Sequence, residues 1–436
     1  MTISNDLSGH SATPAPNPLP VEAARAIIGR AVSPVATAER VALRAALGRV
    51  LAEDVISPID VPAHDNAAMD GYAFDGASAP TRHGPVGGAP LKLTVAGQAR
   101  AGHPFEQTCR AGECVRIMTG APMPAGCDTV VPQEVVTRAG NDVTFDAERI
   151  ERGANCRHTG EDIARGRAAL EAGRLVRAAD LGLLASLGIA EVSVRRRLRV
   201  AFFSTGDELR SIGEPLDAGC VYDSNRYTLH AMLARMNVDA LDLGVVRDEP
   251  EALEAALRTA AASADVVLTS GGVSVGDADF TARMTATFGD VAFWQLAMRP
   301  GRPLAFGRLW PGERGPNERS AVFFGLPGNP VAVMVAFYQL VRDALVIMSG
   351  AAACPPLQFA AASSAPIKKR PGRTEYLRGV ATRDAAGQWS VAPTRSQGSG
   401  VLSSMSEANC FIVLAHDRAD VAAGDAVDIM PFDGLI

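Results

Sequence analysis

The chain has 436 residues, is 47% hydrophobic and carries a net charge of −6, with a sequence pI near 5.7. That length predicts several domains, roughly three at the usual size of a folding unit, and the acidic balance argues against nucleic acid as a partner. Seven scattered cysteines without a C-x-x-C pair read as reduced thiols of a cytoplasmic protein. No histidine stands at ligand spacing to them, so no zinc site is expected, and His64 and His158 read as structural.

Residues 1–20, rich in Pro, Ser and Asn, lack the basic start and apolar run of a signal peptide and read as a disordered tail. Val21–Leu47 reads as helix, broken at Pro34 and resuming to Gly48. Residues 48–157 form a β-rich module, with short runs at Leu91–Val95, Glu113–Met118, Thr129–Pro132 and Val143–Phe145. Within it, Asp60–Ala73 is dense in small and polar residues and suits a tightly turned loop. Leu175–Leu187 is a helix closed by Gly188, and residues 158–195 join 21–47 as a helical linker domain.

Residues 196–350 alternate strand and helix. Strands are expected at Leu198–Phe203, Ala240–Val246, Val266–Thr269, Val291–Met298 and Ala321–Phe324. Helices are expected at Asn225–Arg235, Pro250–Ser263, Phe280–Phe288 and from Asn329-Pro330 to Ile347. The alternation predicts a central doubly wound α/β domain, a parallel sheet with helices on both faces. The longest apolar run, Val331–Tyr338, is too short to cross a bilayer. Residues 351–436 read as a C-terminal β-domain, with strands at Tyr376–Thr382, Gln388–Ala392, Cys410–Leu414 and Ala426–Met430.

Chemistry collects where the predicted α/β strands end, the edge at which such sheets bind ligands. The third strand runs into Thr269-Ser270-Gly271-Gly272-Val273-Ser274-Val275-Gly276-Asp277-Ala278-Asp279. Its hydroxyls, glycines and backbone N–H groups suit an anion such as phosphate. Glu208, Asp248 and Asp279 follow three neighbouring strands. Clustered carboxylates repel one another and call for a cation, and oxygen ligands beside phosphate suit Mg2+. Arg299-Pro300-Gly301-Arg302-Pro303 offers two guanidiniums to an oxyanion. Pro327-Gly328-Asn329 opens a helix whose first amides also face anions. Read singly, each segment is also compatible with an ordinary turn or cap.

Several motifs occur together and in order: DNAAMDGYAF, RIMTGAPMP, GEDI, FSTGDEL, YDSNR, SGGVSVGDADF, RPGRP, GLPGNP and QGSG. On them the chain resembles the MoeA family of molybdopterin molybdenumtransferases, related to the E domain of gephyrin, from about Val21 to the end. The resemblance implies a homodimer of four-domain subunits, with a third domain like molybdopterin adenylyltransferase and a β-rich lid facing the partner's cleft. It implies Mg2+-dependent insertion of molybdate into adenylylated molybdopterin, giving molybdenum cofactor and AMP. Functional positions carry over as Asp70 and Thr119 from the β-rich module and Glu208, Asp248 and Asp279 from the α/β domain. Arg299 and Arg302, with Arg373 and Ser403 or Ser404, would hold molybdate. The adenylyltransferase and enzymes that modify the finished cofactor are implied as protein partners, and no membrane is.

The chain departs from the family's commonest pattern in having arginine for lysine at Arg299 and Arg302, Ala332 for serine and Asp277 for glutamate, which leaves tungstate open as the metal. Two competing readings share the fold: molybdopterin adenylylation itself, and a non-enzymatic scaffold. A dinucleotide oxidoreductase is disfavoured, since no G-x-G-x-x-G follows the first strand of the sheet.

Overall fold

A computed structural model describes residues 18–78, 90–272, 289–312 and 318–435. Most of the expected N-terminal tail, the expected helix Phe280–Phe288, and Ser274, Gly276, Asp277 and Asp279 lie outside the described residues.

The α/β domain is organised by alternation along its strands. In Arg199–Thr205, Val200 and Phe202 point into one core with Leu229, Met232 and Leu233 of helix Asn225–Arg235. Ala201 and Phe203 point into a second core with Leu253 and Leu257 of helix Pro250–Ser263. This period of two, apolar at every position, is what a strand covered on both faces requires.

Four strands run parallel in the spatial order Asp239–Val246, Arg199–Thr205, Val266–Ser270, Ala321–Leu326. The sheet grows in opposite directions from Arg199–Thr205, which makes the crevice beside its carboxyl end a topological switch point. Two further strands, Pro303–Leu309 and Gly289–Gln295, add antiparallel at the far side. The sheet is therefore mixed and not wholly parallel. Pro303–Leu309 was not expected, because its alternation is masked by the neighbouring Pro-Gly turn.

The helix that starts at Pro330 continues through a π-helical turn, Phe337–Val341, to Met348. It is 19 residues long and apolar over nearly all of that length, so the apolar stretch is longer than Val331–Tyr338; by length and composition it could span a membrane. Here 72% of its most apolar window is buried inside the molecule, as a core helix packed against the sheet.

The N-terminal part departs from expectation twice. Beyond helix Val21–Ala31, the expected second helical piece is instead strand Ala38–Ala42 and a single 3-10 turn, Leu43–Ala46. The strand pairs antiparallel with Glu191–Arg195. A helix shorter than about 12–15 residues is marginal alone, whereas this ladder satisfies the same backbone groups. Gly71–Phe74, expected within a loop, is a fully buried inner strand between Thr129–Pro132 and Glu113–Ile117. Small residues there allow close packing: a Cβ on Gly71 would lie 2.0 Å from the Val131 carbonyl oxygen.

In the C-terminal domain, strands Thr374–Arg383, Trp389–Pro393, Phe359–Ser363, Ala426–Pro431 and Cys410–Leu414 pair in sequence, and the last pairs back onto the first. That closure leaves no open edge. Met298–Arg299 adds alongside Thr374–Glu375 and fastens this domain to the α/β domain.

Candidate active site

The carboxyl ends of the parallel strands open onto a cleft of about 1030 Å3. Its floor is Thr205-Gly206, Ser270-Gly271-Gly272 and Pro327-Gly328-Asn329, and the C-terminal domain contributes Gln397–Gly400. Local geometry explains the glycines. Gly271 has φ +95°, and a Cβ there would sit 2.3 Å from the Thr205 carbonyl oxygen. Only glycine allows the two strand ends to approach so closely.

The floor is held by amides and hydroxyls. Asn225 Nδ2 donates to Ser270 Oγ at 2.8 Å and to the Gly328 carbonyl at 2.7 Å. Ser204 Oγ donates to Asp223 Oδ1 at 3.1 Å. The Val331 amide, in the first turn of the long helix, donates to Ser399 of the C-terminal domain at 3.0 Å. That amide is thereby occupied and joins the two sides of the cleft.

One wall is acidic. Glu208 and Asp248 both line the cleft, and Thr205 Oγ1 donates to Asp248 Oδ1. Asp223 joins them and was not singled out from sequence. Its side chain is buried, yet Oδ2 accepts no hydrogen bond among the described residues and lies 3.8 Å from Arg226 Nε. The usable signal was the position of Asp223 just before helix Asn225–Arg235, where an acid also reads as an ordinary cap. Asp279, expected as the third acid, lies outside the described residues.

The opposite wall is basic. Arg299 and Arg302 line the same cleft. Arg299 also borders a second hollow of about 770 Å3, with Lys368, Lys369, Arg370 and Arg373. Between these cations lies Glu375, only 2% exposed, which accepts from Arg373 Nε at 2.8 Å and lies 3.8 Å from Arg299.

The expected oxyanion set is therefore divided. Arg302 faces the cleft, Arg373 the second hollow, and Arg299 both. Ser404 is buried and committed: its hydroxyl donates to the Val401 carbonyl at 2.6 Å and accepts from Arg378 Nε at 3.1 Å. Ser403 begins the short helix Ser403–Glu407 and lines neither hollow.

Asp70 and Thr119 meet each other in the β-rich module. Asp70 Oδ1 accepts from the Thr119 hydroxyl and amide, both at 2.7 Å. Those two bonds, hydroxyl first, hold the exposed Asp70 carboxyl below its ordinary range. Neither residue lines the cleft of its own chain.

Three family models match in succession: the MoeA N-terminal region (domain I and II) over residues 19–188, a probable molybdopterin binding domain over 201–347, and the MoeA C-terminal region (domain IV) over 360–432. A molybdopterin molybdenumtransferase of Haemophilus influenzae is 42% identical over 396 residues, 90% of this chain and 94% of that protein. One from a Nostoc species is 38% identical, covering 72% of this chain and 70% of its own. The crystal structure of the molybdopterin biosynthesis moeA protein from Pyrococcus horikoshii OT3 superposes with a TM-score of 0.78 at 28% identity, covering 95% of this chain and all of that one.

Proposed function

The chain belongs to the MoeA family and is a transferase of molybdenum cofactor biosynthesis; from that premise we propose how its cleft divides the work. Adenylylated molybdopterin lies along the strand ends, its phosphoanhydride over Ser270, Gly271 and Gly272 and facing Pro327-Gly328-Asn329. Ser274, Gly276 and Asp277, next in the sequence, are proposed to contact the same ligand. Molybdate enters at Arg299 and Arg302, and the products are molybdenum cofactor and AMP.

The observation that carries this reading is the separation of charge along one cleft: Glu208 and Asp248 follow strands Arg199–Thr205 and Asp239–Val246, while Arg302, with Arg299 just before it, precedes strand Pro303–Leu309 at the other side of the sheet. Molybdate is a dianion and would be repelled by an acidic floor, while a phosphoanhydride needs a cation as well as an N–H cradle.

The donors suit Mg2+, being all hard oxygen, and Asp223 keeps one buried oxygen without a hydrogen bond among the described residues. Glu208 and Asp248 would hold the ion, with Asp279. Bound there, it neutralises charge on the phosphoanhydride. The chain's own groups do the rest. Asn225 fixes the Ser270 hydroxyl, Gly271 lets the strand ends close on the ligand, and Glu375 holds Arg299 and Arg373 at fixed separation.

The same reading makes the protein a cytoplasmic homodimer in which Asp70 and Thr119 of one subunit face the partner's cleft. It receives its substrate from an adenylyltransferase and passes its product to cofactor-modifying proteins. The test is AMP release from adenylylated molybdopterin with Mg2+, with and without molybdate. Release that depends on molybdate supports the reading. Equal release in its absence, or none at all, would defeat it.

A further inference from the structure

Cys156-Arg157 pairs antiparallel with Asn66-Ala67, in the register Arg157↔Asn66. The next pair outward is His158 opposite Asp65. Two-residue periodicity puts Cys156 and His158 on one face of their strand, and cross-strand pairing brings Asp65 against them. His158 Nδ1 lies 3.4 Å from Asp65 Oδ2. A sulfur, a ring nitrogen and a carboxylate oxygen from the three residues all lie within 4.8 Å of one another. Sequence reading took His158 as structural and overlooked that, on an extended strand, Cys156 and His158 two residues apart share a face, with Asp65 brought to them by the facing strand.

We propose that Asp65, Cys156 and His158 form a site for a thiophilic divalent metal, Zn2+, with its fourth position open. Sulfur, imidazole and carboxylate in a set of three fit zinc, whereas Mg2+ and Ca2+ prefer oxygen alone. The supporting shell is already in place. Thr159 donates its amide and hydroxyl to Asp65 Oδ1 at 2.8 and 2.9 Å, which turns Oδ2 toward His158. Such outer contacts orient metal ligands. A bound cation takes Cys156 as the thiolate, and the thiol proton is released to solvent.

The site is tied to the turn that carries Thr119, the partner of Asp70. The Met123 amide donates to the Asp65 carbonyl at 2.9 Å, and the Gly120 amide to the Ala67 carbonyl at 2.8 Å. Metal at residue 65 would staple that turn to the Cys156 strand. This inference stands whether or not the molybdenum reading holds.

The test uses the full chain, stripped of metal and titrated with Co2+ as a spectroscopic substitute for Zn2+. One equivalent should give a thiolate-to-cobalt charge-transfer band and the intense visible bands of four-coordinate cobalt. Cys156→Ser should abolish the first band, while Cys354→Ser, an exposed cysteine elsewhere, should leave it intact. His158→Ala should weaken Zn2+ binding, read by competition with a chromophoric chelator, at least about tenfold. The His158 side chain is 67% exposed, so this variant keeps its fold and decides the matter should Cys156→Ser lose its own. No band in the wild type, a band undiminished in Cys156→Ser, or unchanged affinity in His158→Ala would each overturn the proposal.

Discussion

The two ends of the parallel sheet use the same residue type for opposite purposes. At the amino end, Asp265 is saturated. It accepts both Arg196 guanidinium nitrogens at 2.8 and 2.7 Å and the Arg199 amide at 2.9 Å, with Arg319 at 3.8 Å. At the carboxyl end, Asp223 Oδ2 accepts no hydrogen bond among the described residues, with Arg226 Nε at 3.8 Å, and Glu208 and Asp248 line an open cleft. A carboxylate whose oxygens are all taken fastens strands together. One with acceptor capacity left can take a ligand.

The sharpest way to break that contrast is Asp248→Ala. Molybdate-dependent AMP release should fall about 100-fold or more, by analogy with loss of one electrostatic group from an active site. The thermal midpoint should move little, because Asp248 is exposed and a hydrogen bond such as that from Thr205 is worth only about 1 kcal/mol. A large drop in midpoint would make Asp248 a structural acid like Asp265. The same variant tests the dimer. Mixed with Asp70→Ala, also expected to be inactive, it should recover about a quarter of wild-type release if the two residues act across subunits and chains pair at random. No recovery means that each chain uses its own Asp70.

Asp265→Asn should show the reverse pattern. Removing the charge leaves Arg196, itself largely buried, without its counter-ion and should cost about 3 kcal/mol of stability by calorimetry, with kcat unchanged. Burial alone would raise the Asp265 pKa, but the bonds from Arg196 and the Arg199 amide outweigh it and the carboxyl sits below its ordinary range. In the unfolded chain it titrates near its reference value of about 3.9. Its contribution is therefore whole above that pH and is lost as pH falls through the lower folded value. The variant should flatten the acid limb of the stability profile. A wild-type slope retained in Asp265→Asn would place the acid sensitivity elsewhere.

The sequence disclosed the carboxyl end better than the basic wall, for a physical reason. Glu208 sits just beyond a strand with the continuous apolar run Val200–Phe203, and Asp248 just beyond the parallel strand Asp239–Val246 beside it, so topology alone aligns them. Helices Asn225–Arg235 and Pro250–Ser263 and strand Cys410–Leu414 were legible in the same way, each bounded by its own cap or turn. The partners of Arg299 and Arg373 depend on Glu375, which pairing between Met298–Arg299 and Thr374–Glu375 delivers from another domain. No local pattern shows that. The same holds for Ala38–Ala42, whose strand exists only because Glu191–Arg195 pairs with it, and for Ser404, whose hydroxyl is spent on Arg378 and Val401.

The basic wall can be sharpened by comparing two arginines. Arg302→Ala should raise the KM for molybdate about tenfold, the loss of roughly 1.4 kcal/mol of binding. Arg373→Ala should have a smaller effect, since Arg373 lines the second hollow and reaches the cleft only through Glu375 and Arg299. An equal or larger effect at Arg373 would move molybdate into that hollow, among Lys368, Lys369 and Arg370.

The smallest effect is expected at Thr119→Ala, and it tests whether Asp70 belongs with the saturated acids or the available ones. Asp70 lies outside both ends of the sheet, and its Oδ1 is taken by Thr119. The variant removes the hydroxyl bond, the larger of the two causes that lower the Asp70 pKa, and keeps the amide bond. The carboxyl should then titrate at higher pH. If ionised Asp70 serves catalysis, the acid limb of kcat should move upward in pH while activity at neutral pH stays within a few-fold of wild type. A purely structural Asp70 gives a different result, in which melting shifts slightly and the acid limb of kcat does not move. The two outcomes separate because the exposed hydroxyl carries little packing energy of its own, so what it does to activity must pass through the charge of the carboxylate it touches.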